Sequence, residues 1–448
     1  MSARPHGRCF TKMPNIAPQA PRTNPSEFQR SDHSRKETIM NDMSHAPLPV
    51  QTNPHVRLAS RVAGIADLFR SSARQTEEAR RVPASHIEAL RGIGYFDIVK
   101  PRAFNGKGGD FAELVEANIE LSAACASTGW VAGLLSAHQW LLAMFPEEAQ
   151  ADVWGENPDA LLCGSYAPVK MAEAADGGYR LSGKWAFASG CENAQWSLCA
   201  AILPPKGEGK PVPAFLLVPA SQYVVEDTWH VVGLAGTGSK TLVLDDVFVP
   251  EHRVLTFPDA TSGCTPGGRY YAEESLFNMP LLTGIPSCLA AAGVGAAKGA
   301  LAAYVDHVGG RVTRGAVAGG NNRMAEFPTI QLRVAEAAAS VDAACEILLR
   351  DVSRAQALAQ ARIEGRAEFT VDDRLLSRRG QSFAVSLSLR AVQALNDSTG
   401  GVGLDLANPV QRAWRDANAV GRHISMNWDA VGTMIGQSML GLEPKGQY

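Results

Sequence analysis

From Val56 to about Leu90, apolar residues return at helical spacing, with Val62, Ile65, Leu68 and Phe69 on one face. VPASHIEALRGIGYF then reads as a helix opened by Pro83 and closed by Gly92 and Gly94. The Gly- and Pro-marked loop VKPRAFNGKGGD separates it from two further helices, FAELVEANIELSAAC and STGWVAGLLSAHQWLLAMF, the second leaving at Pro146. Between Leu161 and about Thr256 the period falls to two. The runs KMAEAA, YRLSGKWAFASG, AQWSLCAAIL, AFLLVPA and KTLVLDDVFVP alternate with turn dipeptides and predict strands. Asp176-Gly177-Gly178 is a hairpin turn, and LPPKGEGKPVP an exposed loop. From about Glu273 the helical period returns in four long segments, the last running unbroken from Pro409 to Leu440. Their many small residues permit close approach on two faces, as in a four-helix bundle that also meets a neighbouring subunit. The pattern predicts an α+β chain: a leader over 1–55, an N-terminal helical domain over 56–158, a central β-barrel or sandwich over 159–262, and a C-terminal four-helix bundle over 263–448.

The leader is rich in Pro, Ser, Asn and Arg, has no periodicity and lacks the apolar core of a secretory signal, so disorder is expected there. Hydrophobic residues make up 46% of the 448, and the formal net charge is -3. Near-neutrality leaves no electrostatic footprint for nucleic acid or an acidic membrane, and no run of 18 apolar residues offers a span. A small neutral ligand fits better. The eight cysteines form no CxxC pair and no zinc-spaced cluster with histidine, which suggests reduced thiols in a cytoplasm and no metal.

Two glycine motifs invite nucleotide readings. GLAGTGSKT, Gly233 to Thr241, has P-loop glycine spacing, but Ser239 stands where the lysine must be and a strand pattern follows, so turn chemistry is expected. Gly293, Gly295 and Gly299 in AAGVGAAKGA follow no strand and lie inside a helical pattern, which points to close helix packing and not to a Rossmann fingerprint.

The order helical domain, β domain, helical bundle, together with GLAGTGSKTLVLDDVFVPEHRV, resembles the acyl-CoA dehydrogenase superfamily of flavoproteins. In that family a Gly- and Ser/Thr-rich turn leads into a strand ending Asp-Val-x-Val-Pro, matched here by Gly236 to Thr241 and by Asp246 to Pro250. GKWAFASG, Gly183 to Gly190, sits where the family has its flavin-contacting strand, and STGGVGLDLANPVQRAWRDA resembles its Gly-Gly-x-Gly…Arg-x-x-Arg-Asp-Ala segment. Aligning Arg415-Asp416-Ala417 without gaps puts Ile424 where many dehydrogenases keep a catalytic glutamate, and an isoleucine takes no proton. SAHQW around His138, WAFASG ending at Ser189, and GRHISMNWDAVG around His423 are most similar to the oxygenase components of two-component flavin-dependent monooxygenases, such as the p-hydroxyphenylacetate and 3-hydroxy-9,10-secosteroid hydroxylases.

That resemblance implies a homotetramer that takes FMNH2 or FADH2 from a separate NAD(P)H:flavin reductase. The flavin would react with O2 to a C4a-hydroperoxyflavin and hydroxylate a small aromatic. It implies that His138 binds and activates a phenol, a task imidazole suits near neutral pH, with Trp130 as an aromatic wall on the same helical face. Ser189 steadies the flavin N5 side, with Phe187 and Ala188 beside it, and His423 lies near the peroxide. Ser165, Tyr166 and Ala167 meet the flavin pyrimidine edge. Arg314 contacts the flavin phosphate, although Gly309 to Phe327 departs from the family's usual Arg-x-x-Phe-Gly, and Gly400 and Gly401 admit a neighbouring subunit's backbone. Other expectations on the same fold are S- or N-oxygenation of a heteroaromatic, an acyl-CoA dehydrogenase with a displaced base, or a flavin carrier without catalysis.

Overall fold

A computed structural model of the chain describes residues 57–168, 170–312 and 323–448. Helices α1 (Leu58–Ser71), α2 (Ala73–Ala79) and α3 (Ala84–Gly92) open the fold, followed by α4 (Phe111–Ala124) and α5 (Ala126–Leu142). Val62 and Phe69 are fully buried, whereas Leu68 from the same predicted stripe is exposed. Nearly every residue of α5 is buried, which is why its sequence is apolar on all sides and not on one stripe. A short helix, α6 (Glu147–Gln150), leads out of this layer.

The central region holds two four-stranded sheets. One orders β1 (Leu162–Ser165), β4 (Trp196–Leu203), β5 (Val212–Pro219) and β8 (Val254–Thr256); the other orders β2 (Glu173–Ala175), β3 (Gly178–Ala188), β7 (Lys240–Pro250) and β6 (Val224–Glu226). All pairings are antiparallel except β1 with β4. The expected hairpin is present: Ala175 pairs with Gly178 across a two-residue Asp176-Gly177 turn, with Gly177 at φ +74°. Strands β1, β6 and β8 span only three or four residues, too few for alternation to reveal them.

After α7 (Phe257–Ser262) and α8 (Pro266–Tyr270) come the long helices α9 (Leu281–Gly309), α10 (Pro328–Ile363), α11 (Val371–Asp397), α12 (Pro409–Gly421) and α13 (Trp428–Met439). Helix α9 is central, packing on α10, α11 and α12 and also on α4 and α5. A Cβ at Gly295 would lie 2.4 Å from the Ile119 carbonyl oxygen, and one at Gly299 2.3 Å from that of Ala123, so these glycines let α4 and α9 touch backbone to backbone. Helix α9 has the length and hydropathy of a membrane span, although the sequence showed no continuous apolar run. Within its most apolar window 67% is buried inside the protein.

The last segment departs from its predicted form. It is not one helix: α12 stops at Gly421, residues 422–427 form turns, and α13 restarts where the Asn427 side chain accepts the Ala430 N–H at 3.2 Å. Gly421 faces Leu389 so closely that a Cβ there would lie 2.7 Å from its Cδ1. His423 therefore sits in a connection, where a side chain can be aimed by local turn geometry.

Candidate active site

Helix α5 presents Trp130 and His138 eight residues apart, on one face and separated by about 12 Å along the axis. Each organises its own cluster.

At Trp130, the indole Nε1–H donates to Ser189 Oγ at 3.0 Å, and the ring meets the imidazole of His423 edge to face, with centroids 5.8 Å apart. Ser189 reaches α5 because β3 is bulged. Trp185 lies opposite Leu242 but Ala188 opposite Lys240, so β3 carries one extra residue, and Phe187 takes a left-handed φ of +65°. Phe187 is 68% exposed and stands edge to face with Trp229, while Ala188 is fully buried. Gly190 follows at φ +70°, and a Cβ there would lie 2.6 Å from Val131 Cγ1, so a side chain would push the turn off α5.

The Ser189 hydroxyl belongs to a chain whose direction is fixed at both ends. Thr237 Oγ1 donates to the Leu234 carbonyl at 2.8 Å, since a carbonyl can only accept. Thr237 must then accept from Ser239 at 2.7 Å, and Ser239 from Ser189 at 2.7 Å. Ser189 has its proton committed to Ser239 and one lone pair committed to Trp130, and what remains is an acceptor. Asp416 of α12 holds the same loop by accepting the Leu234 N–H at 2.6 Å; burial pushes its carboxyl up to about 6.

His423 is half-buried, and the Ser425 backbone N–H donates to its Nδ1 at 3.2 Å. The neutral ring therefore carries its proton on Nε2. Burial, and after it the guanidinium of Arg378, push the ring down to about 4. Ile424, the residue that alignment put at the dehydrogenase base position, is 77% exposed and faces outward.

At the other end of the α5 face, His138 is 1% exposed and donates its Nδ1–H to the Leu162 carbonyl at 2.6 Å. Its Nε2 is then a bare lone pair, buried and without a partner among the described residues. Burial holds this imidazole down at about 4, so it stays neutral at working pH. The Tyr166 ring lies alongside, centroid to centroid 5.7 Å, and its buried hydroxyl also lacks a partner among the described residues. The loop residues expected at the flavin pyrimidine edge have these surroundings. Tyr166 is packed between His138 and Phe215, and the Ser165 hydroxyl is committed to the Ala186 carbonyl at 2.7 Å. Ala167 is exposed. Gly400 and Gly401 lie on an exposed turn packed against α11 and α12, with Arg311 near Gly400. Arg314 falls outside the described residues.

The structure thus brings Trp130, Ser189 and His423 together and places His138 with Tyr166 one helical stretch away. Sequence reading missed Ser239, Thr237 and Asp416 as partners, although all three stand in the motifs already singled out, GLAGTGSKT and Arg415-Asp416-Ala417.

Comparison with known proteins accounts for the architecture. Residues 57–156 match the acyl-CoA dehydrogenase N-terminal domain and residues 287–428 the C-terminal domain, and the chain belongs to the acyl-CoA dehydrogenase family. Within that family it stands with the oxygenase components of flavin-dependent monooxygenases. It is 92% identical over 409 residues to the FADH2-dependent resorcinol hydroxylase oxygenase component of Rhizobium sp. (strain MTP-10005), covering 91% of this chain and 100% of that protein. The flavin-dependent monooxygenase oxygenase subunit HsaA of Mycobacterium tuberculosis (strain ATCC 25618 / H37Rv) is 38% identical, over 84% of this chain and 93% of its own. Among solved structures, 3-HSA hydroxylase from Rhodococcus sp. RHA1 superposes with a TM-score of 0.81 at 34% identity, covering 88% and 98% of the two chains. XiaF from Streptomyces sp., in complex with FADH2 and glycerol, gives 0.77 at 30%, covering 87% and 96%.

Proposed function

We propose that this chain is the oxygenase component of a two-component hydroxylase that receives FADH2 from a separate NAD(P)H:flavin reductase and inserts one atom of O2 into a small phenol, with resorcinol as the substrate. One observation carries the reading: His138 Nε2, a buried lone pair with no donor, on a ring already held neutral. A phenolic O–H is the donor it lacks. Accepting that proton partway raises electron density at the ring carbons ortho and para to the oxygen. In resorcinol one carbon is ortho to the first hydroxyl and para to the second, so attack there gives benzene-1,2,4-triol. The second hydroxyl suits the unpartnered Tyr166 hydroxyl beside His138.

The other cluster fits a reduced flavin. The acceptor-only oxygen of Ser189 matches a ring N–H, and the exposed Phe187 offers a flat apolar contact. Bound reduced flavin would supply the oxygen through its C4a-hydroperoxide, with the second oxygen atom leaving as water. The residues of this chain hold the N–H, exclude water with Trp130, and offer the His423 Nε2–H to developing negative charge. A homotetrameric, cytoplasmic enzyme completes the reading, in keeping with the exposed Leu404, Leu406 and Ile424.

The test is a product assay. Reductase, NAD(P)H, FAD and a panel of phenols are combined under air, and the triol and H2O2 are quantified against O2 consumed. Resorcinol should give nearly one triol per O2. Release of H2O2 alone with every phenol would sink the proposal. Turnover of a heteroaromatic that survives His138→Ala would favour S- or N-oxygenation, and anaerobic bleaching of bound oxidised FAD by an acyl-CoA would favour a dehydrogenase.

A further inference from the structure

Arg378, on α11, is 4% exposed, yet among the described residues it has no carboxylate within ion-pair distance. A buried guanidinium without a counter-charge is costly to hold, so its hydrogen bonds must offset the lost hydration. All of its recorded bonds go to neutral oxygens: Nη1 to Gln381 Oε1 at 2.7 Å, Nη2 to the Ser425 carbonyl at 3.0 Å, and Nε to the Gln447 carbonyl at 3.4 Å. One turn further along α11, Ser382 donates to the Met426 carbonyl at 2.9 Å. Two side chains at i and i+4 thus grip consecutive carbonyls of the turn that carries His423. Gln381 anchors the grip from behind, donating to the Leu282 and Thr283 carbonyls and to Ser287 Oγ of α9.

The gripped carbonyl matters because the same residue, through the peptide unit before it, supplies the N–H that occupies His423 Nδ1. We propose that Arg378 is a positioning residue for the oxygenation site: by fixing Ser425 it locks His423 into the Nε2–H tautomer and one orientation against Trp130. This rests on the reading that His423 belongs to that site. The charge of Arg378 works in the same direction, since it opposes a second proton on the ring. Of the groups around the turn, α5 contributes the non-titrating Trp130, α12 ends beside the exposed Arg422, α13 opens with the exposed Asp429, and among the described residues Arg378 is the charge that acts on the imidazole.

Histidine-selective 15N labelling of the flavin-free protein tests this, with His423 assigned from His423→Gln. Two-bond 1H–15N spectra should show a single Nε2–H tautomer at pH 7, with the ring still neutral at pH 5. Arg378→Met should mix the tautomers and raise the titration midpoint by about one unit, a tenfold gain in proton affinity. Arg378→Lys keeps the charge but not the planar fork, so it should leave the midpoint low while the tautomers mix. A merely structural role would lower Tm and leave both readouts unmoved, and an Arg378→Met protein with an unchanged tautomer and midpoint overturns the proposal. Should that variant fail to fold, the wild-type spectrum still decides: an Nδ1–H ring at pH 7, or a protonated one at pH 6, overturns it as well. Because no flavin or phenol is present, failure here is separable from failure of the hydroxylase reading, which the product assay reports.

Discussion

His138 and His423 have the same side chain and are both pushed by burial down to about 4, yet their Nε2 atoms have opposite hydrogen-bonding character. At His138 a backbone carbonyl takes the Nδ1 proton, which leaves Nε2 as an acceptor. At His423 a backbone N–H occupies Nδ1, which leaves Nε2–H as a donor. The supports differ too: a sealed helix face for the first, a six-residue connection held by a neighbouring helix for the second. One backbone atom at each ring decides whether Nε2 accepts or donates, and with it the role proposed for each histidine.

Removing the acceptor should break the contrast most severely. His138→Ala is expected to cut kcat/KM for resorcinol hydroxylation by at least about a hundredfold, the usual worth of a positioned base, with flavin oxidation by O2 continuing; triol formation by chromatography measures it. The sealed position also has a stability signature. His138 titrates near 4 in the fold and at 6.5 when unfolded, so between those values the unfolded chain binds the extra proton and stability falls as pH falls. His423 adds to the fall in the same way, and burial of Asp416 acts in the opposite sense, from about 6 down to 3.8. Comparing urea unfolding of wild type and His138→Phe removes both of those contributions. The gap should move in the variant's favour by about 3 kcal/mol from pH 6.5 to 4.

On the donor side the expected effects are smaller. His423→Ala should raise the share of O2 released as H2O2 severalfold without abolishing product, and a peroxidase-coupled assay run beside triol quantification checks the partition. Trp130→Phe keeps an aromatic edge near His423 and deletes the N–H to Ser189 together with part of the ring. It should cost about 1 kcal/mol, roughly fivefold in the anaerobic Kd for FADH2, and an unchanged Kd would remove Trp130 from the hydroxyl chain's account.

The layer order was legible from periodicity, because a change from period 3.6 to 2 and back is a long-range signal that individual errors do not erase. So was the face of α5, since Trp130 and His138 lie eight residues apart on one helix. The broken helix at 422–427 was not, because Val420, Ile424 and Val431 keep an apolar rhythm across it; Gly421 and Asn427 were the stop and start marks. Tautomers were beyond reach for a different reason: they depend on Leu162 and Ser425 main-chain atoms, which any residue type would supply. Arg378 was invisible because a lone arginine on a helix usually reads as a solvated charge.

Phe187 has an implication for anyone who engineers this scaffold. An aromatic residue at φ +65° is held there against a preference of about 1–3 kcal/mol, and glycine would relax most of that. A campaign selecting on heat resistance alone would therefore tend to recover Phe187→Gly, and with it a sturdier protein that has given up the exposed aromatic face proposed to meet the flavin. Screens on this scaffold should read turnover beside melting temperature from the first round, since on that proposal robustness and catalysis pull in opposite directions at this bulge.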